Sequence, residues 1–398
     1  MMRPALKIEN AKTPRIKALA LFGVLAFSLS SAAAHALTPA TLVGPDLEPQ
    51  AVQIISISEG RVGYFDASRQ MQSATTDQFV QLRDLPRESQ PAVAAPDEQP
   101  MGMIELTDGT RLTGRITGVA DDGQALQWTH VQFGDVTVSV EGLAAVSPRG
   151  PLGRLDALPG DRAVMVNGDR IDGFVERLFA IKPDGAEAAV PLPVERLQRL
   201  QLANPPVASD LDRVHLHDGS RVLAAELTLT AGSLSATIAL GDSRRSVTWP
   251  LTAVASVEFR RPGRSLVPLT DLAWRVTDGG EVFGVAWPPQ VRRGALHLHA
   301  PVTVALDLPP GAARLAAAVE LALDDVPPHQ RTLADCRVIL ETPGTAPLVV
   351  RLDARQPRTR INLPVRPGPL ILRLDPDADP TLDRVRLIEA QVLLDASP

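Results

Sequence analysis

Residues 105–114 read ELTDGTRLTG. Apolar and polar residues alternate on both sides of Asp108-Gly109, the period of a β-strand. An Asp-Gly pair between two such runs predicts a tight hairpin, because these residues tolerate positive φ. The stretch recurs: LTDGTRLTG (Leu106 to Gly114) matches MVNGDRIDG (Met165 to Gly173) and LHDGSRVLA (Leu216 to Ala224). An arginine stands two residues after each glycine, at Arg111, Arg170 and Arg221. Each copy also has a matching tail: SVEGLAAV (Ser139 to Val146), PVERLQRL (Pro193 to Leu200) and PLTAVASV (Pro250 to Val257). Their apolar residues stand three apart, as in Val140, Leu143 and Val146, which predicts a short helical or 3-10 turn closing a small sheet.

Strand, hairpin, strand and closing turn are thus repeated over 101–150, 160–203 and 211–260. A fainter fourth copy is ISISEGRVG (Ile55 to Gly63) with FVQL (Phe79 to Leu82), inside a strand-rich segment at 37–83. Self-similarity at this period predicts small β-barrel or rolled-sheet units packed side by side. The recurrent arginine either binds an acidic ligand or, more ordinarily, is a solvated strand residue paired with a nearby carboxylate.

The rest of the chain fits an all-β protein. Its 398 residues exceed what one hydrophobic core usually serves, so two to four domains are expected. Short Val, Ile, Leu and Thr runs are punctuated by 36 Pro and 28 Gly. ARLAAAVELAL (Ala313 to Leu323) has the composition of a helix but sits between strand-like runs. DLPRESQPAVAAPDEQP, at 84–100, reads as a linker. At the N-terminus, Arg3, Lys7, Lys12, Arg15 and Lys17 precede the apolar ALALFGVLAFSL and then AHA at 34–36. This is the pattern of a secretory signal peptide at 1–36, cleaved after Ala36; the alternative is an uncleaved N-terminal anchor. No cysteine precedes the small-residue site, so a lipid anchor is not supported, and no later stretch is apolar for long enough to span a bilayer. The expected location is secreted, periplasmic or in the cell envelope. Cys336 is the only cysteine, so no intrachain disulfide forms; within ADCRVIL it reads as a buried hydrophobe rather than a reactive thiol. A net charge of -6 offers no electrostatic reason for nucleic-acid binding. With aromatics at 4%, platforms for sugars or bases are scarce.

From residue 262 the repeat stops and another pattern begins. LTDLAWRVT (Leu269 to Thr277) carries an Asp-x-x-Trp pair, Asp271 and Trp274. RRGALHLHAPVTVALDL (Arg292 to Leu308), LAAAVELALDD (Leu315 to Asp325) and CRVIL (Cys336 to Leu340) follow in that order. The series resembles the NPCBM family of carbohydrate-binding modules, which shows a DLxW-like strand, a KGLxxHAxSxIxYxL-like pair, FxAxVGxDD and VxFxV. The resemblance covers about a third of the chain, 262–398. It implies a galactose-binding-like jelly-roll β-sandwich and makes the Ala-rich stretch a strand. The family positions carried over are Asp271, Trp274, Gly294, His299, Asp324 and Asp325. The chain departs from the pattern at His297, where the family has a second glycine, and at Glu320, where it has another. It departs again at Val385, Arg386 and Leu387, where NxxDHADWxxA is expected and only Asp383 and Ala390 are kept. If that rim contributes to ligand binding, this copy is expected to have lost it.

His-x-His occurs at His215/His217 and His297/His299, and each pair shares one strand face. Zinc would need a third ligand at a telling spacing, so hydrogen-bonded strand histidines are the ordinary reading. DPDADPTLD (Asp375 to Asp383) has oxygen ligands at alternate positions but Pro380 and Arg386 where an EF-hand needs Gly and Glu. A looser structural calcium site at Asp375, Asp377 or Asp379 remains as an alternative to a solvated turn. No nucleophile elbow, His-Glu-x-x-His or phosphate loop occurs. A glycosidase carboxylate pair would come from distant strands and leave no local signature. Trp128, Trp249, Trp274 and Trp287 are the tryptophans; an exposed one could stack on a sugar ring. The expectation is a non-catalytic exported protein that binds an extracellular polysaccharide or glycan through Trp274, Trp287, His299, Asp271 and Asp325. The alternative is a scaffold for an envelope protein partner, without a sugar site; a hydrolase is third.

Overall fold

The computed structural model describes residues 37–86, 101–152, 155, 158–230, 232–240, 243–292, 294–376 and 380–395. The leader expected at 1–36 and most of the linker expected at 84–100 lie outside them. The chain is all-β: the regular elements among the described residues are strands and 3-10 turns.

Twenty strands form four modules of one plan within a continuous sheet. The first module holds β1 (Thr38–Val43), β2 (Pro49–Ser58), β3 (Arg61–Phe65), β4 (Met71–Thr75) and β5 (Gln81–Arg83). The second holds β6 (Gly102–Leu106), β7 (Arg111–Ala120), β8 (Ala125–His130), β9 (Gly134–Ser139) and β10 (Leu143–Ser147). The third holds β11 (Asp161–Met165), β12 (Arg170–Arg177), β13 (Ala180–Pro183), β14 (Val190–Pro191) and β15 (Leu197–Gln201). The fourth holds β16 (Asp212–Leu216), β17 (Arg221–Thr230), β18 (Ser233–Leu240), β19 (Ser243–Pro250) and β20 (Val254–Glu258). In every module the first strand pairs with the second and the fifth, which rolls the sheet. A 3-10 turn leads towards each fifth strand: Thr76–Gln78, Val140–Gly142, Val194–Arg196 and Leu251–Ala253.

The opening hairpin explains its own sequence. Gly109 donates its N–H to the Leu106 carbonyl at 3.0 Å and sits at φ 85°, in the left-handed region that glycine enters without a Cβ clash. Asp108 keeps negative φ; its Oδ1 accepts the Thr110 N–H at 2.8 Å. Gly168 with Asn167 and Gly219 with Asp218 repeat both bonds. The fainter fourth copy falls on a different hairpin. Glu59-Gly60 joins the second strand to the third, whereas Asp-Gly and Asn-Gly join the first to the second. A glycine at a turn marks backbone geometry, not position in the strand order.

The tails differ from the helical reading in an instructive way. Only Val140–Gly142 and its counterparts are 3-10; the later apolar residues lie in strands. Each of these fifth strands carries a bulge, at Ala144, Gln198 and Ala255, where the register on its partner slips by one. One extra residue turns a spacing of two into three. Leu143 and Val146, Leu197 and Leu200, and Val254 and Val257 therefore all point inward and are fully buried.

The modules join in pairs through these fifth strands. Val146 faces Leu200, and Leu82 faces Val257, so equivalent positions meet across each antiparallel junction. The second and fourth modules also meet through their hairpins. Arg111 faces Arg221, Thr113 N–H donates to Ser220 Oγ at 3.0 Å, and buried His130 sits 3.3 Å from the Asp218 carboxylate. His130 Nδ1 accepts the N–H groups of Gln132 and Phe133, so Nε2 carries the proton donated to Ser220 Oγ at 2.9 Å.

The C-terminal region is a two-sheet sandwich. Its strands are β21 (Arg264–Pro268), β22 (Trp274–Gly279), β23 (Glu281–Val282), β24 (Val285–Ala286), β25 (Gln290–Arg292), β26 (Ala295–His299) and β27 (Val302–Leu308). β28 (Ala312–Leu321), β29 (Asp335–Glu341), β30 (Leu348–Asp353), β31 (Arg358–Pro364), β32 (Gly368–Pro376) and β33 (Arg384–Asp395) complete it. One sheet runs β25-β26-β33-β28-β31 with β21 beside β33; the other runs β22-β27-β32-β29-β30; β23 and β24 form a separate hairpin. The Ala-rich stretch is β28. It pairs along both edges, with β31 and β33, and that pairing outweighs the helix preference of Ala and Leu. Cys336 is buried in the sandwich core, and burial pushes its thiol up to about 12. A small apolar cluster of Val43, Leu47, Val80, Leu266, Ala316 and Leu393 packs the first module against the sandwich, beside an Arg83–Glu389 ion pair at 2.8 Å.

Candidate ligand-binding site

The four tryptophans divide sharply. Trp128 and Trp249 are buried in the modules, at 0% and 1% exposure. Trp274, at the start of β22, is half-buried against the sandwich core. Trp287 is exposed, at 42%. Its place follows from the preceding TDGG. Gly279 has φ 72°, and a Cβ there would lie 2.3 Å from the Pro301 carbonyl oxygen, so only glycine lets the two chains approach. Gly280 N–H then donates to Pro301 and its carbonyl accepts the Trp287 N–H at 2.7 Å. The β23–β24 hairpin between them lifts Phe283 into solvent at 78% exposure.

The Trp287 indole lies against the His299 ring, with centroids 5.0 Å apart and planes inclined by 33°. His299 is itself buried, and its Nδ1 lies 2.9 Å from the Ala300 carbonyl. Burial pulls its pKa below the usual histidine value, and the charge of Arg384 adds to this. A neutral, fixed imidazole therefore backs the indole. Both rings border a cavity of about 150 Å³, lined also by Arg292, His297, Asp324, Asp325, Arg384 and Arg386.

Strand register assembles the polar wall. Gln290 faces His297, His297 faces Arg386, Arg386 faces Glu320, and Glu320 faces Arg358, in one row across β25, β26, β33, β28 and β31. Arg386 is held by Glu320 and Asp324; burial opposes its charge, but these bonds outweigh it and raise its pKa. Burial, then the charges of Arg292 and Arg386, lower that of His297. Asp324 and Asp325 occupy the centre of a turn closed by Val326 N–H to the Leu323 carbonyl at 3.1 Å. Ala322 N–H bonds the Arg384 carbonyl and brings this turn to the rim.

Of the expected ligand residues, Trp287, His299 and Asp325 meet at this cavity. Trp274 packs against the core and does not line it. Asp271 ends a 3-10 turn, Leu269–Asp271, and lines a different cavity with Arg111, His215, Arg221 and Glu258. Asp375 pairs with Arg373 at 3.2 Å, while Asp377 and Asp379 lie outside the described residues. No three His, Cys, Asp or Glu side chains are grouped to hold a metal among the described residues. The recurrent arginines also part company. Arg111 Nε meets Glu105 at 2.6 Å, and Arg221 donates to the Gly109 carbonyl at 2.9 Å and lies 3.7 Å from the same Glu105. Arg170 is exposed, beside a separate cavity with Arg162 and Arg199. The sequence reading missed Arg292, Arg384 and Arg386 as cavity residues. The alternation in Arg384-Val385-Arg386 was the available signal, since it places both arginines on one strand face.

No protein family matches the sequence, and no curated protein matches it. Among solved structures, the chain is similar to CBM51-2 in complex with GlcNAc and INT domains from Clostridium perfringens ZmpB, at 13% identity and a TM-score of 0.26, covering 46% of this chain and 44% of that one. It is similar to a family two carbohydrate esterase from Cellvibrio japonicus at 15% identity and 0.22, covering 34% of each. It is also similar to the secreted serine protease VesC from Vibrio cholerae at 11% identity and 0.20, covering 89% of this chain and 73% of that one.

Proposed function

We propose that this is an exported, non-catalytic binding protein whose NPCBM-like sandwich holds carbohydrate at the cell surface or in the envelope. The observation that carries the reading is Trp287, an exposed indole braced by a buried histidine at the mouth of a polar cavity. An aromatic face packs on the C–H face of a sugar, while carboxylates and guanidinium groups bond its hydroxyls. The cavity is smaller than the roughly 300–1,000 Å³ of drug-sized sites, which suits one terminal sugar ring rather than a chain. The non-catalytic part rests on the sequence, which carries none of the local nucleophile or metal motifs.

A glycan array probed with the full chain and with Trp287→Ala tests this. Binding that the variant loses while keeping its thermal transition supports the reading; no glycan retained by the full chain overturns it. A scaffold for protein partners is the second reading. It is favoured by the modules, where Arg221 of the fourth donates to the Gly109 carbonyl of the second. Pull-down of a defined envelope protein without glycan binding would favour it, and turnover of released polysaccharide would favour a hydrolase.

A further inference from the structure

We infer that the Trp287 cavity selects a carboxylated sugar, a pyranose of the uronate class, over its neutral counterpart. This rests on the carbohydrate reading above and adds the ligand's charge. Three arginines line the cavity although the chain is acidic overall, at -6. They are not equivalent. Arg386 is already committed to Glu320 and Asp324. Arg292 and Arg384 make no ion pair among the described residues, and Arg384 Nε is buried there without a hydrogen-bond acceptor. A buried donor left unmade costs more than a bond contributes when formed, so such a group calls for an acceptor that the protein itself does not supply.

The surroundings say which acceptor. Arg384 faces His299 across the β26–β33 pair, next to the Trp287 ring. A ring stacked on that indole therefore shares its cavity with Arg384. His297 and His299 both have lowered pKa values, so neither competes as a cation. A planar guanidinium recognises a carboxylate through two parallel bonds, and Arg292 at the mouth adds a second cation. Asp325 is exposed and unpaired among the described residues, across the same cavity. It would repel a second carboxylate but accept bonds from hydroxyls. One carboxylate with several hydroxyls satisfies both ends; a phosphate or a bare organic acid satisfies only one.

The test compares matched glycans, galacturonate with galactose and glucuronate with glucose, as ligands of the full chain by calorimetry. The acidic member should bind roughly tenfold or more tightly, as expected for one charge-assisted contact. Arg384→Gln should abolish that preference, Arg292→Gln should reduce it, and Arg384→Lys should restore part of it. Trp287→Ala should weaken both members of a pair alike. Arg292 is exposed, so its variant keeps the test open even if Arg384→Gln disturbs folding. Equal binding of neutral and acidic members, unchanged in Arg384→Gln, overturns the charge selection while leaving the carbohydrate reading standing. Binding of neither member, with Trp287→Ala indistinguishable from the parent, overturns the carbohydrate reading itself.

Discussion

The module array and the sandwich use the same residue types to opposite ends. In the modules tryptophan is core: Trp128 and Trp249 are closed off inside rolled sheets. In the sandwich the core is built by aliphatic residues such as Leu296, Leu315 and Leu370, and Trp287 is left outside. Arginine follows the same division. Arg111 and Arg221 converge on Glu105, and Arg213 and Arg260 converge on buried Glu258 at 3.5 and 3.4 Å. At the sandwich cavity, Arg292 and Arg384 meet no such carboxylate among the described residues. Arginines that reach a carboxylate within the fold hold it together; Arg292 and Arg384, which reach none among the described residues, line a cavity instead.

The contrast is sharpest for the tryptophans. Trp249→Ala should cost about 3–5 kcal/mol, read as a lowered unfolding midpoint, because it empties a packed core. Trp287→Ala should shift that midpoint by less than about 1 kcal/mol and act on binding instead. Equal destabilisation by both would erase the division. Glu258 comes next. Burial works against its ionisation, but His215, 3.8 Å away, and the charges of Arg213 and Arg260 outweigh that and hold its carboxyl down to about 2. Its folded-state value is below the ordinary 4.5, so the folded protein binds fewer protons than the unfolded chain. The resulting stability is fully present above pH 4.5 and is lost as the pH falls through about 2. Glu258→Gln should destabilise by about 3 kcal/mol at neutral pH and flatten this acid dependence in a pH series of melting curves.

Two smaller effects probe the repeats. Gly173→Ala would place a Cβ 2.1 Å from the Lys182 carbonyl oxygen and should cost about 1–3 kcal/mol. The fourth module tolerates Ala224 at the same repeat position, buried in β17, so the penalty is specific to the local strand spacing. Smallest of all, Arg170→Ala should change stability by less than about 0.5 kcal/mol, whereas Arg221→Ala should cost about 1–2 kcal/mol. A large effect at Arg170 would mean that the third hairpin also docks against a neighbour.

Period-two alternation, recurrent Asp-Gly or Asn-Gly turns and frequent proline were enough to read an all-β chain, and the turn glycines sit where their backbone freedom is required. These signals are local: they depend on a residue and its close neighbours in the chain. The sequence singled out Trp287 together with Trp274 but could not say which of the two is exposed, because burial depends on which sheet covers a side chain. The spacing of three in the tails looked helical for a similar reason, since a bulge exists only relative to the partner strand. The division of the arginines also lay beyond the sequence. Arg111, Arg170 and Arg221 share one motif, yet two meet across a module junction and the third faces solvent. Local chemistry determined the strands and turns of this protein; the pairing of distant strands decided which polar groups were satisfied and which were left at a cavity, because an ion pair or a stacked ring requires atoms that the chain brings together only on folding.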